Sequence, residues 1–263
     1  MNVLIVGGSQ GIGRAIAGWM AGRGHVVGLV ARTAEPIDEA VKALGTRAMG
    51  YVADVLDHQA IQSAVGRFVD AAGGLDTLVY AAGRFRAIGP LVEVDTDDWW
   101  VDVATTLKGF ANVVSATVPY LRLSTAPSLI ALIGPGHARE LAFGTGYGIA
   151  QAGLARLVES LNVELRRDTI PVYAVNPGLV PTPMMNHLLD SAGGRRWLPR
   201  FTEAFAEGKE VGPEVAAEMV AWLAETRPIG LGGRVVASMS TPALIEGRVE
   251  RIVEDDLGTL RIR

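Results

Sequence analysis

Asn2-Val3-Leu4-Ile5-Val6-Gly7-Gly8-Ser9-Gln10-Gly11-Ile12-Gly13 is an apolar, partly β-branched run closed by a cluster of glycines. The apolar part has the composition of a buried strand. Ile12, Ile16 and Met20 then recur every fourth residue, which predicts an amphipathic helix opening at the glycines. A glycine-rich turn between strand and helix leaves main-chain N–H groups bare at the positive end of the helix, where a pyrophosphate binds. A tight turn without a ligand has the same composition. The position directly behind the first strand favours the phosphate cradle.

Outward from this stretch, 263 residues suit one large α/β domain better than two small ones. Hydrophobic residues make up 49% of the chain and mean hydropathy is +0.27, so a well-filled core is expected and disorder is not. The absence of cysteine excludes disulfides and thiolate metal sites and agrees with a reducing compartment. No signal-peptide pattern opens the chain, no apolar run approaches a membrane span, and a net charge of -4 offers nothing to nucleic acid. A soluble, cytoplasmic protein acting on a small molecule, with no metal site, is the expectation.

Strand and helix signals alternate along the whole chain, which predicts a doubly wound parallel sheet. Further strands are expected near Val26–Val30, Ala48–Val52, Thr77–Ala81, Leu129–Ile133, Val172–Val175 and Arg234–Ala237. Helices are expected over Ala60–Ala72, Thr96–Leu121, Tyr147–Arg166 and Pro213–Ala224. No linker or repeat divides residues 1–263. Past Ala237, the alternation in Ile245–Val253 suggests an extra strand or hairpin within a C-terminal extension at about 240–263, available to an oligomer.

The spacing Gly7-x3-Gly11-x-Gly13 resembles the classical short-chain dehydrogenase/reductase family, and the likeness runs from end to end of the chain. It implies a single Rossmann-type domain binding a nicotinamide dinucleotide, with Gly7, Ser9, Gln10, Gly11, Ile12 and Gly13 forming the pyrophosphate turn. At the end of the second strand Ala31 stands where an acid would hold the ribose hydroxyls, and Arg32 follows. A guanidinium pairs with a 2′-phosphate and stacks on adenine; the resemblance therefore implies NADP(H), against a merely solvated arginine. Asp54 could simply cap the next helix, but the resemblance favours Asp54-Val55 as the family's adenine contact. Tyr80-Ala81-Ala82-Gly83 keeps the Ala82-Gly83 that lets the ribose approach and lacks the family's bracing asparagines. Arg84 and Arg86 follow, able to attract an anionic substrate or simply solvated. Downstream, Pro177, Gly178, Val180 and Thr182 match the Pro-Gly-x-Val-x-Thr that holds the carboxamide. Residues 182–208 resemble a substrate lid lined by Met184, Met185, Leu188, Leu189, Trp197 and Phe201, with Arg195, Arg196 and Arg200 facing an acidic substrate or solvent.

The catalytic set departs from the family. The asparagine that would hold a water is Thr106, and the serine thirteen positions before the tyrosine is Gly134. The Tyr-x-x-x-Lys pair reads Tyr147-x-x-x-Gln151. An ammonium near 4 Å lowers a phenol's pKa by an interaction of about 4 kcal/mol at an effective dielectric of 20; Gln151 supplies hydrogen bonds and no charge. Tyr147 is then a weak base near neutral pH and a competent acid. His137, on the loop after the fifth strand, is the candidate substitute, or else an exposed side chain. Tyr147, Gln151, Leu154, Val158, Leu161 and Leu165 also form one helical stripe, so the tyrosine has a packing explanation too. The family associates through this helix, and Gly148, Ala150, Ala152, Gly153 and Ala155 permit close packing, so a homodimer or homotetramer is expected. Three functions are open: a divergent NADP(H)-dependent oxidoreductase acting on a carbonyl or alcohol, which the retained nicotinamide residues favour; a silent nucleotide-binding subunit or sensor paired with an active relative; and a non-redox enzyme on the same scaffold.

Overall fold

The computed structural model of the protein describes residues 1–261. Seven parallel strands form one sheet in the order β3-β2-β1-β4-β5-β6-β7. They are β1 (Asn2–Val6), β2 (Val26–Ala31), β3 (Ala48–Val52), β4 (Thr77–Tyr80), β5 (Ser128–Leu132), β6 (Val172–Asn176) and β7 (Val235–Ala237). The order reverses at β1, which pairs with β2 on one side and β4 on the other. At such a switch point the loops leave the sheet in opposite directions and open a crevice at the carboxyl ends of the strands.

Each face of the sheet is covered by helices. On one side α3 (His58–Ala72), α4 (Thr96–Leu121) and α5 (Thr145–Glu164) bury Phe68, Phe110, Leu154 and Val158 against it. On the other, α1 (Gly11–Gly22), α2 (Ala34–Leu44) and α9 (Pro213–Thr226) bury Ile16, Met20, Ala40, Val220 and Leu223. Each of these side chains larger than alanine contributes roughly 1.5–3 kcal/mol by leaving water. Between β6 and α9 lie three short helices, α6 (Pro183–Asp190), α7 (Ala192–Trp197) and α8 (Pro199–Ala206). Thr182 and Ser191 cap the first two through their hydroxyls, and proline begins α6 and α8. Among the described residues no helix is long and apolar enough to cross a membrane.

The extension departs from the strand or hairpin expected of it. It forms α10 (Pro242–Glu246) and α11 (Val249–Glu254), with Thr241 capping α10. Ile245, Val249 and Ile252 repeat at helical spacing and pack onto the core beside α9, and that burial overrides the local alternation. The chain then returns along the sheet edge, where Val235 N–H donates to the Gly258 carbonyl at 2.7 Å. The last two positions of the extension, 262–263, lie outside the described residues. The small residues of α5 also serve contacts within the chain: Ala150 and Ala155 are buried, and Gly153 receives Leu107.

Tyr80 braces the end of the fourth strand. Its buried hydroxyl donates to the Thr105 carbonyl at 2.5 Å and ties β4 to α4. Gly109 makes the room, since a Cβ there would stand 2.5 Å from Tyr80 Oη and 2.7 Å from Val55 Cγ2. Gly109→Ala is expected to cost about 1–3 kcal/mol by overpacking. In a Tyr80→Phe background the penalty shrinks because the nearest atom is gone. Urea unfolding of the double-mutant cycle measures this, and strict additivity would contradict the packing described.

Candidate functional site

A cleft of about 270 Å³ runs along the carboxyl ends of the strands across the switch point. At its centre the β1–α1 turn meets the end of β4 backbone to backbone. Gly7 has φ +86, and a Cβ on it would lie 2.7 Å from Ala81 C and Ala82 N; a Cβ on Gly13 would overlap the Gly7 carbonyl. Only glycine satisfies both contacts. Gln10, at the N-cap of α1, makes no side-chain capping bond, and the first helical donor is Arg14 N–H to the Gln10 carbonyl at 3.2 Å. The earlier amides therefore point into the cleft without an intrahelical partner, an anion site by construction. The residues fit a pyrophosphate, because Gly7, Gly11 and Gly13 border the cleft with bare main chain and uncapped amides.

The remaining residues expected to hold a dinucleotide are brought to the same cleft. Arg32, Asp54, Val55, Ala82, Gly83, Pro177, Gly178, Val180 and Thr182 all line it, with Ser9, Gln10, Gly11 and Ile12. Arg32 is exposed and has no ion-pair partner among the described residues. Asp54 does not cap α3. Its Oδ1 accepts from Leu56 N–H at 2.9 Å, while Asp57 takes the cap by accepting from Ala60 N–H. Thr182 Oγ1 accepts from Met185 N–H at 3.2 Å and keeps its own proton for a ligand. Three positions escaped the sequence reading. Thr33 follows Arg32, lines the cleft and stands at the N-cap of α2 with no side-chain capping bond. Thr105, one residue before Thr106, also lines it. Asn112 holds the Val55 carbonyl at 2.8 Å. Threonine before a helical run is a cap signal that marks Thr33; nothing local marks the other two.

At the catalytic end, Tyr147, Gln151 and Gly134 come together. A Cβ at Gly134 would overlap Tyr147 Oη and stand 2.9 Å from its Cζ, so the phenol occupies the space that a serine side chain would need. Gln151 Oε1 accepts from Gly134 N–H at 2.8 Å, which fixes the amide and leaves Nε2 as the free donor. Tyr147 is 5% exposed, stacked on Phe85 with ring centroids 4.4 Å apart at 13°. Burial, with a smaller contribution from the Asp102 carboxylate, holds its phenol well above the ordinary value.

Two expected members are placed elsewhere. His137 does not line the cleft; its Nδ1 lies 2.8 Å from the Gly134 carbonyl, and since a carbonyl only accepts, Nδ1 carries the proton and the ring braces the loop. Thr106 is buried, its hydroxyl turned back to the Asp102 carbonyl at 3.5 Å, as threonines in helices commonly do. Arg84 is not free for an anion either. It pairs with Asp102 at 2.6 Å and Asp98 at 2.5 Å, leaving Arg86 exposed. In the lid, Leu188, Leu198 and Phe201 pack with Phe85, Leu141 and Tyr147 into a third apolar cluster. Arg196 and Arg200 lie over the Trp197 and Phe201 rings at 4.5 and 5.3 Å, and Arg195 donates to the Asp190 carbonyl.

The short chain dehydrogenase family model matches residues 1–192. The chain belongs to the short chain dehydrogenase family. Among relatives of this oxidoreductase family, it is 32% identical over 234 residues to a monensin polyketide synthase putative ketoacyl reductase of Streptomyces virginiae, covering 84% of this chain and 88% of the relative. It is 30% identical to the 3-oxoacyl-[acyl-carrier-protein] reductase FabG of Thermotoga maritima, covering 89% and 94%. Among solved structures, the family fold is shared with an actinorhodin polyketide ketoreductase bound to NADPH, at TM-score 0.79 and 26% identity over 90% of this chain and 94% of that one. A short chain dehydrogenase/reductase from Saccharomyces cerevisiae superposes at TM-score 0.85 with 24% identity, covering 93% and 98%.

In this family member Tyr80, Tyr147 and Tyr173 all have phenols raised mainly by burial. A raised phenol contributes its full stability below the unfolded value of about 10 and loses it as pH climbs, because the unfolded chain ionises first. The urea midpoint is therefore expected to fall above about pH 10, with a slope of up to about 1.4 kcal/mol per pH unit for each buried tyrosine. Tyr147→Phe makes that slope shallower; an unchanged slope would contradict the burial of the phenol.

Proposed function

We propose that the protein is an NADP(H)-dependent oxidoreductase that reduces a carbonyl of a small molecule, with neutral Tyr147 as the proton donor. One observation carries this reading: a single cleft joins Arg32, the glycine turn and Pro177–Thr182 to Tyr147 and Gln151. Thr33 and Arg32 would meet a 2′-phosphate at the adenosine end. The dinucleotide, when bound, supplies or accepts a hydride. Tyr147 Oη donates its proton to the substrate oxygen, and no cation among the described residues lies beside it to favour the phenolate, so reduction is supported better than oxidation. Gln151 Nε2 would donate toward the nicotinamide ribose, while its Oε1 accepts from Gly134 N–H and keeps the β5 end docked on α5. Phe85, Leu141 and Leu188 form an apolar wall with Tyr147, which suits a substrate uncharged around its carbonyl; a negative group farther out has Arg86 to meet it. A homodimer or homotetramer through α4 and α5, where Trp100 and Ile149 are exposed, belongs to the same reading, and sedimentation at micromolar concentration is expected to show it.

A second reading, a nucleotide-binding subunit without turnover, is supported by the burial of Tyr147 beneath Phe85. Two measurements separate them. NADPH is expected to raise the thermal midpoint more than NADH at equal concentration, and Arg32→Ala to erase the difference; equal shifts would overturn the cofactor assignment. On a panel of ketones and diketones, Tyr147→Phe is expected to lower NADPH oxidation by about 100-fold or more while leaving nucleotide binding intact. No turnover by the unmutated protein, with NADPH bound, would favour the second reading.

A further inference from the structure

Asp102, near the start of α4, is fully buried at 0% exposure, and both its oxygens are committed to one loop. Oδ1 accepts from Arg84 Nη1 at 2.6 Å; Oδ2 accepts from Arg86 N–H at 2.9 Å and Ala87 N–H at 2.8 Å. A carboxylate out of water is strongly disfavoured unless paired and hydrogen-bonded on this scale, and its loss leaves the partners stranded. The three donors flank a single side chain, Phe85, which is the ring stacked on Tyr147. Gly144 leaves space for it, since a Cβ there would stand 2.7 Å from Phe85 Cζ. Less than one turn earlier in α4, Trp99 Nε1 donates to Thr145 Oγ1 at 3.0 Å, two residues before Tyr147. The phenol oxygen itself has no protein hydrogen-bond partner among the described residues, so packing alone sets where it points.

We propose that Asp102 is a positioning residue for Tyr147: it clamps the 84–87 loop so that Phe85 lies against the phenol ring and holds its hydroxyl at Gly134. The consequence for catalysis rests on Tyr147 being the proton donor, but the geometry does not, and the test reads it without turnover. Asp102→Asn keeps the volume while turning one acceptor into a donor facing Arg84.

The NMR probe is the full chain labelled with ε-13C tyrosine, which reports on each of its five tyrosines. Tyr147 is assigned by its loss in Tyr147→Phe, and Phe85→Leu defines the unstacked ring position. Asp102→Asn is expected to move the Tyr147 signal toward the Phe85→Leu position while Tyr51, Tyr80, Tyr120 and Tyr173 stay in place. For any carbonyl that is turned over, kcat falls while KM for NADPH is kept. If Asp102→Asn does not fold, Arg84→Gln cuts the same clamp from a side chain 15% exposed and is read by the same criterion. A Tyr147 signal unmoved in the folded variant overturns the proposal, as does a joint shift of all five tyrosines, which reports general loosening. Absence of turnover in the unmutated protein overturns the oxidoreductase reading and leaves the signal to decide the clamp.

Discussion

The contact on which the site depends is main chain against main chain: the β1–α1 turn pressed onto the end of β4. Gly7 touches the Ala81–Ala82 peptide and Gly13 sits on the Gly7 carbonyl, with no room for a side chain at either place. That proximity sets α1 on the sheet with its uncapped end facing the switch point. A dipole of about half a charge is thereby aimed at the middle of the cleft. Side chains could supply the same charge, but they would fill the space that the ligand needs.

The catalytic end follows the same logic with a different outcome. Gly134 carries no side chain, and the Tyr147 phenol occupies the volume that one would fill. Gln151 accepts from the Gly134 amide, so the two positions satisfy each other. With no ammonium beside it and with Phe85 over its ring, the phenol is kept neutral. A neutral phenol in a dry setting is a donor whose strength does not vary across ordinary pH.

Around that end, charge is used for construction. Arg84 is consumed by two aspartates, and Arg196 and Arg200 lie over aromatic rings of the lid. What the α6–α8 segment packs against Phe85 and Tyr147 is Leu188, Leu198 and Phe201. An apolar enclosure excludes water from a hydride transfer and strengthens each remaining hydrogen bond.

The strand alternation, the glycine turn and the Pro177–Thr182 loop were legible in the sequence because each is governed by local rules: periodicity, backbone freedom and turn chemistry. Those rules brought into view the doubly wound sheet and the residues that line its cleft, Arg32 among them. They misjudged Ile245–Val253, where a short alternating pattern serves a helix as well as a strand and burial beside α9 decides between them. They were silent on Asp102, whose three partners lie 15 to 18 residues away, and on Tyr80, whose partner is the Thr105 carbonyl. They placed His137 and Thr106 in the site, whereas hydrogen bonds to nearby carbonyls turn both away from it. Residue types and spacings determined which chemistry this chain retains and which it lacks. Only the tertiary structure decided where Tyr147 points, because that depends on a side chain missing from one strand end and a ring supplied by another.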